Sequence, residues 1–198
     1  MDNSFMQRLF PVRENDPLRA IHWIKPFQFG HLLLIETVSK EHEIIIELIT
    51  QWVLRSPMYL IAGGDWLPDY DDVRYSVFRY TNAVNETLDK LSLVRARTCF
   101  QLLALLKDAD RQKKPVLILD FLHHFYNEDV ELLTREEILE QCCRYTKRLA
   151  RSNHVAVLVP NLATEEYRRF FPLLAAVADE IISVEKNAET EVSQGTLF

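Results

Sequence analysis

The sequence predicts an α/β fold built on a mainly parallel central sheet with helices on both faces. Three observations carry this. Short apolar runs at residues 31–37, 57–62, 91–95, 115–120, 155–159 and 180–185 alternate with longer segments of helical period, and that alternation implies crossover connections and parallel pairing. The run 115–120 is apolar without interruption up to its closing Asp120, as expected of a parallel strand covered on both faces. Finally, Glu36, Asp65, Asp120 and Asn161 each fall at or just beyond the end of such a run, where open α/β sheets gather their functional groups.

Taken in order, residues 1–27 are a lead-in broken by Pro11, Pro17 and Pro26. The strand 31–37 is followed by a helix over 41–54, with Ile44, Ile45, Leu48, Ile49 and Trp52 near one face. The second strand, 57–62, ends at Gly63-Gly64-Asp65, and residues 66–79 read as a polar, aromatic segment. A helical turn over 81–90 leads to the short strand 91–95. The helix 98–111 carries Phe100, Leu102, Leu103, Leu105 and Leu106 as an apolar stripe. After the strand 115–120 comes a loop with His123, His124, Asn127, Glu128 and Asp129. Thr134 and Glu137 have capping-box spacing and open a helix reaching about Ser152. The strand 155–159 closes on Pro160-Asn161; a helix over 164–178, broken near Pro172, precedes the last strand.

At 198 residues the chain is one domain. An apolar fraction of 48% and a charged fraction of 26% support a real core. The net charge of −6 argues against tight non-specific binding of nucleic acid, which depends on neutralising phosphates. Arg144, Lys147, Arg148 and Arg151 on one helix, with Arg168 and Arg169 later, read either as solvated helix faces or as a local basic patch. Cys99, Cys142 and Cys143 have no zinc or disulfide spacing and read as buried, reduced thiols of a cytoplasmic protein. No signal peptide is evident at the N-terminus, and no apolar run is long enough to span a membrane.

The strand–loop–helix over 31–50 has the layout of a phosphate-binding loop without its chemistry. Such a loop is G-x-x-x-x-G-K-[ST]; here the residues are Glu36-Thr-Val-Ser39-Lys40-Glu41-His-Glu43. Glycines are needed so that successive N–H groups converge on one anion, and the helix N-terminus must not already be neutralised. Glu36, Glu41 and Glu43 oppose both. Lys40 is the one candidate for the loop's lysine and reads as a surface residue. His123 and His124 show no third metal ligand at a useful spacing.

Residues 93–97 (Leu-Val-Arg-Ala-Arg), the helix after them, the strand ending in Asp120, the helix ending at 148–153, and the strand ending in Asn161 together resemble the core of RecA-like recombinases, the archaeal RadA type and its paralogues above all. The resemblance covers roughly residues 28–185. It implies a three-layer RecA-like P-loop-NTPase fold. It also implies that Asp120 stands at the magnesium-ordering aspartate of the Walker B strand, that Asn161 stands at the γ-phosphate sensor, and that Gly64 or Asp65 lies near the catalytic glutamate. The two DNA-binding loops of that family would fall at about 122–133 and 162–171, and both are short. With Glu36, Ser39 and Lys40 in a degenerate loop, the expectation is a pseudo-ATPase with no cofactor. The alternative is an ATPase that uses ATP and magnesium through Asp120, with Asp65 or Glu36 orienting water.

The final residues, Gln194-Gly-Thr-Leu197-Phe198, resemble the pentapeptide by which bacterial proteins dock on the replication sliding clamp. Gln194 would satisfy a polar site while Leu197 and Phe198 fill an apolar pocket, and residues 187–193 would act as a tether. The other reading is that Leu197 and Phe198 anchor the chain end to the domain. Together these features imply an accessory or scaffold protein of DNA repair or recombination, like the RecA-like accessory proteins of bacterial translesion-synthesis cassettes. Its expected partners are a sliding clamp and a repair polymerase or recombinase. Its contact with nucleic acid would be weak or indirect, self-association remains open, and its expected place is the cytoplasm, near the nucleoid. A regulatory interaction module unrelated to DNA is the remaining alternative.

Overall fold

The structure is a computed structural model that describes residues 30–37, 42–64, 66–162 and 164–184. The lead-in, the loop residues Ser39 and Lys40, Asp65, and the tail with Gln194, Leu197 and Phe198 lie outside the described residues.

Six parallel strands form one sheet: β1 (Leu32–Thr37), β2 (Met58–Ala62), β3 (Leu91–Arg95), β4 (Val116–Leu119), β5 (Val155–Pro160) and β6 (Glu180–Val184), in the order β3-β2-β4-β5-β1-β6. The central strands β2, β4 and β5 are buried at every position, which is why they read as unbroken apolar runs rather than alternating ones. The edge strands β3 and β6 are half-exposed.

The helices are α1 (His42–Arg55), α2 (Tyr70–Phe78), α3 (Val84–Leu88), α4 (Cys99–Gln112), α5 (Leu132–Ala150) and α6 (Glu165–Ala175), with a 3₁₀ turn at His123–Phe125. The direction of travel across the sheet decides which face each one covers. From β1 to β2 to β3 the chain moves one way; from β3 through β4 and β5 to β6 it returns. Crossovers of constant hand must then put the outgoing helices on one face and the returning helices on the other. The core is divided accordingly. One cluster joins Ile45, Leu48, Ile49 and Trp52 of α1 with Trp66, Val73, Val77 and Leu88. The other joins Leu102 and Leu106 of α4, Leu139 and Cys142 of α5, and Phe170 and Leu174 of α6.

Several sequence expectations are corrected. Residues 70–78, within the segment read only as polar and aromatic, form a helix that packs inward through Val73, Ser76 and Val77 while Tyr70, Tyr75 and Phe78 are exposed. Phe100 is 55% exposed and leaves the α4 stripe to Leu102, Leu106 and Ala109. Helix α5 begins at Leu132 behind Glu131, so the Thr134 capping box is not used. Pro172 lies inside α6 without ending it, and Ala176 still donates to the Pro172 carbonyl at 3.0 Å. All three cysteines are free and buried, as expected. Among the described residues no helix is long and apolar enough to cross a membrane.

Candidate functional site

Parallel pairing brings the carboxyl ends of β2, β4, β5 and β1 side by side. Glu36, Asp120 and Asn161 therefore share one edge, although they are far apart in sequence. Loops that leave neighbouring strands toward opposite faces open a crevice, the usual place for a ligand in such sheets. Here that happens between β2 and β4, between β5 and β1, and at the sheet edge between β3 and β2, because α1 and α2 lie on one face while α4, α5 and α6 lie on the other.

The first crevice is closed by the protein's own groups. Asp120 follows β4 in the left-handed region (φ 52°), and its side chain is only 5% exposed. One carboxylate oxygen lies 3.4 Å from Nδ1 of His123. The other, Oδ1, has no hydrogen-bond partner among the described residues. Opposite stand Gly63 and Gly64 at the end of β2. A Cβ on Gly63 would meet the Asp120 carbonyl oxygen at 2.5 Å, and one on Gly64 (φ 56°) would meet Asp120 Oδ2 at 2.6 Å and His123 Nδ1 at 2.7 Å. Only glycine admits this approach. Arg95, at the end of β3, donates to the Gly64 carbonyl at 2.6 Å and ties that turn to the next strand. Nε2 of His124 lies 2.9 Å from the Ala96 carbonyl, and burial holds its basicity below the ordinary histidine range. The two adjacent histidines thus serve different partners. Tyr126, whose hydroxyl is buried and unpartnered among the described residues, has its pKa pushed up by burial first and by the negative charge of Asp120 next.

The second crevice is occupied by Glu36. Thr164 caps α6 by accepting from the Tyr167 N–H at 3.2 Å, which fixes the first turn of that helix. From there the Tyr167 hydroxyl donates to Glu36 Oε1, while Ser183 Oγ of β6 donates to Glu36 Oε2 at 3.0 Å. Burial and then the hydrogen bond to this carboxylate raise the Tyr167 pKa. Asn161 is exposed beside this group, and its N–H donates to the Thr37 carbonyl at 2.7 Å. Thr37 Oγ1, buried at the tip of β1, has no partner among the described residues.

Sequence reasoning found Glu36, Asp120 and Asn161, and Arg95 only as part of the 93–97 phrase; it missed Tyr167, Ser183 and the pairing of Asp120 with His123. Nothing in the local sequence announces that Tyr167 reaches a residue 131 positions away. The second DNA-binding loop expected at 162–171 is another correction: from Glu165 onward it is helix, with Tyr167 and Phe170 buried. The basic group is partly neutralised, since Lys147 pairs with Asp179 at 2.5 Å, Arg148 with Asp110, and Arg169 with Glu136 at 3.7 Å. Arg144, Arg151 and Arg168 are exposed.

A resident magnesium ion would need more than one oxygen donor from the protein or its nucleotide. Asp120 Oδ1 is one unmatched donor, but among the described residues no group of three His, Cys, Asp or Glu side chains is placed to hold a metal ion. The described residues do not by themselves supply the ligand set of a metal centre. Comparison with protein-family models finds no match, and comparison with curated proteins finds none either.

Proposed function

We propose that this chain is a RecA-like accessory protein of DNA repair or recombination that acts as a scaffold and does not turn over nucleotide. The observation that carries the reading is the occupancy of the carboxyl edge. Glu36, at the tip of the strand that would lead into a phosphate loop, is held by Tyr167 and Ser183. A carboxylate fixed there repels a phosphate by charge and competes for the donors that a phosphate would use. The order of strands supports the RecA-like reading, because β5 lies between β1 and β4 and all three tips share one edge. The role in DNA transactions rests on the phrase around Arg95-Ala96-Arg97 and on the likeness of residues 194–198 to a clamp-docking peptide.

The test is calorimetric titration of the full chain into a bacterial sliding clamp, with and without residues 194–198, beside titration with ATP and magnesium. Binding to the clamp that vanishes with the tail, and no heat with ATP, is the expected result. Clamp binding that is absent, or that survives removal of residues 194–198, defeats the tethering reading, and heat with ATP and magnesium defeats the non-catalytic one.

One observation favours the second reading, an ATPase with a non-standard loop: the buried, unmatched Oδ1 of Asp120. That reading requires magnesium-dependent ATP binding that is lost in Asp120→Asn. In it Asp120 would order the ion that neutralises the phosphates, while Glu36 would have to leave Tyr167.

A further inference from the structure

Helix α2 presents an unusual outer face. Its inner side packs through Val73, Ser76 and Val77, and Ser76 Oγ lies 3.4 Å from the buried carboxylate of Glu47 on α1. Its outer side carries Tyr70, Tyr75 and Phe78, which are 62%, 73% and 64% exposed. Three large apolar side chains on a nine-residue helix are far denser than the single exposed hydrophobics that need no explanation. Aromatic side chains of this kind dominate protein interfaces.

The charges on this face are ordered. On this outer arc Asp71 lies in the first turn of α2 and Arg74 at its middle, while Arg79 stands just past the helix end. Arg79 also lies over the Tyr80 ring, 5.7 Å from its centroid. A face on which an acid precedes a base by one turn is self-complementary when two copies lie antiparallel about a two-fold axis. At 100° per residue, Tyr70, Asp71, Arg74, Tyr75 and Phe78 fall within one arc of about 140°. An axis crossing between Asp72 and Val73 then sets Asp71 of each copy opposite Arg74 of the other, and Tyr70 opposite Tyr75.

We propose that the outer face of α2 is a homodimer interface, with a second copy of this chain packed antiparallel across Tyr70, Tyr75 and Phe78 and held in register by Asp71–Arg74 pairs. The dimer is a weak one, because a single short helix buries less than the roughly 1,200 Å² of a standard stable interface.

Sedimentation velocity of the full chain, from about 5 to about 300 μM, tests it. A concentration-dependent dimer is expected. Phe78→Glu and Tyr75→Glu should each weaken it at least about tenfold with unchanged circular dichroism. The charge variants decide the register. Asp71→Arg opposes Arg74 in its own dimer, and Arg74→Asp opposes Asp71 in its own, so each alone should stay monomeric. Mixed together, they restore both Asp–Arg pairs and should form a heterodimer. A monomer throughout the range overturns the proposal, as does a dimer indifferent to Phe78→Glu and Tyr75→Glu. A mixture of the two charge variants that stays monomeric overturns the antiparallel pairing. Clamp and nucleotide titrations do not bear on this outcome.

Discussion

Gly63 and Gly64 show how closely β2 and β4 approach at their tips. Substituting Gly63 with alanine would drive a methyl to within 2.5 Å of the Asp120 carbonyl oxygen, a backbone atom that cannot swing aside. Overpacking of this kind costs about 1–3 kcal/mol. Gly63→Ala should therefore lower the urea midpoint of unfolding by an amount in that range. Glu36 makes a complementary case. Truncating it to alanine leaves the Tyr167 hydroxyl, on a residue only 6% exposed, without its acceptor. An orphaned buried donor costs about 1–3 kcal/mol. Glu36→Ala should lose stability in that range while Ser183→Ala loses less, since Ser183 is exposed. Equal losses in a denaturant titration would show that Tyr167 does not depend on this carboxylate.

Among the helices, the two threonine caps and the unused capping box separate sequence signal from structural outcome. Thr98 accepts from the Gln101 N–H at 3.2 Å and starts α4 where its sequence says it should. Thr98→Ala should cost about 1 kcal/mol. Thr134 looks like a better cap because Glu137 follows at the right spacing, yet it sits in the first turn of α5 behind Glu131. Thr134→Ala should change the thermal midpoint little, and a loss as large as that of Thr98→Ala would place the true start of α5 at Thr134. Buried Arg135 gives the reason for the earlier start. Its guanidinium donates to the Phe125 carbonyl at 3.0 Å and lies over the Phe170 ring, so it ties the first turn of α5 to the loop before it. That contact is tertiary, and a local capping signal yields to it.

For the molecule as a whole, the groups whose protonation shifts on folding bound the pH range of stability from both sides. Burial pushes the Cys143 thiol from 9.0 up to about 12, and burial with the Glu47 hydrogen bond pushes Tyr80 from 10.0 up to about 12. Both groups hold their protons more tightly in the folded chain. Their contribution is complete below the unfolded values and is lost as pH rises from about 9 through about 12. On the acid side burial lowers His124 below 6.5, and the Leu32 N–H and then Lys147 lower Asp179 below 3.8. The unfolded chain takes up these protons more readily, so stability falls first as pH drops below about 6.5 and again below about 3.8. Urea titrations across this range should trace a plateau between about pH 7 and 9. Cys143→Ser should flatten the alkaline limb.

Residue pattern alone places the α/β class, all six strands, five of the helical segments, the buried thiols, and Glu36, Asp120 and Asn161 at strand ends. These are legible because strand burial and helix amphipathicity are local periodicities, and a parallel sheet repeats them in order. Helix α2 was not legible, since its exposed aromatics blur the period that Val73 and Val77 set. Strand order, and with it the crevices between diverging loops, emerges only from how the elements pack. So do the closure of one crevice by Asp120 and His123 against Gly64, and the capture of Glu36 by Tyr167 and Ser183 in another. Each joins residues on different elements, and their meeting depends on how the helices divide between the two faces of the sheet, which no local pattern encodes.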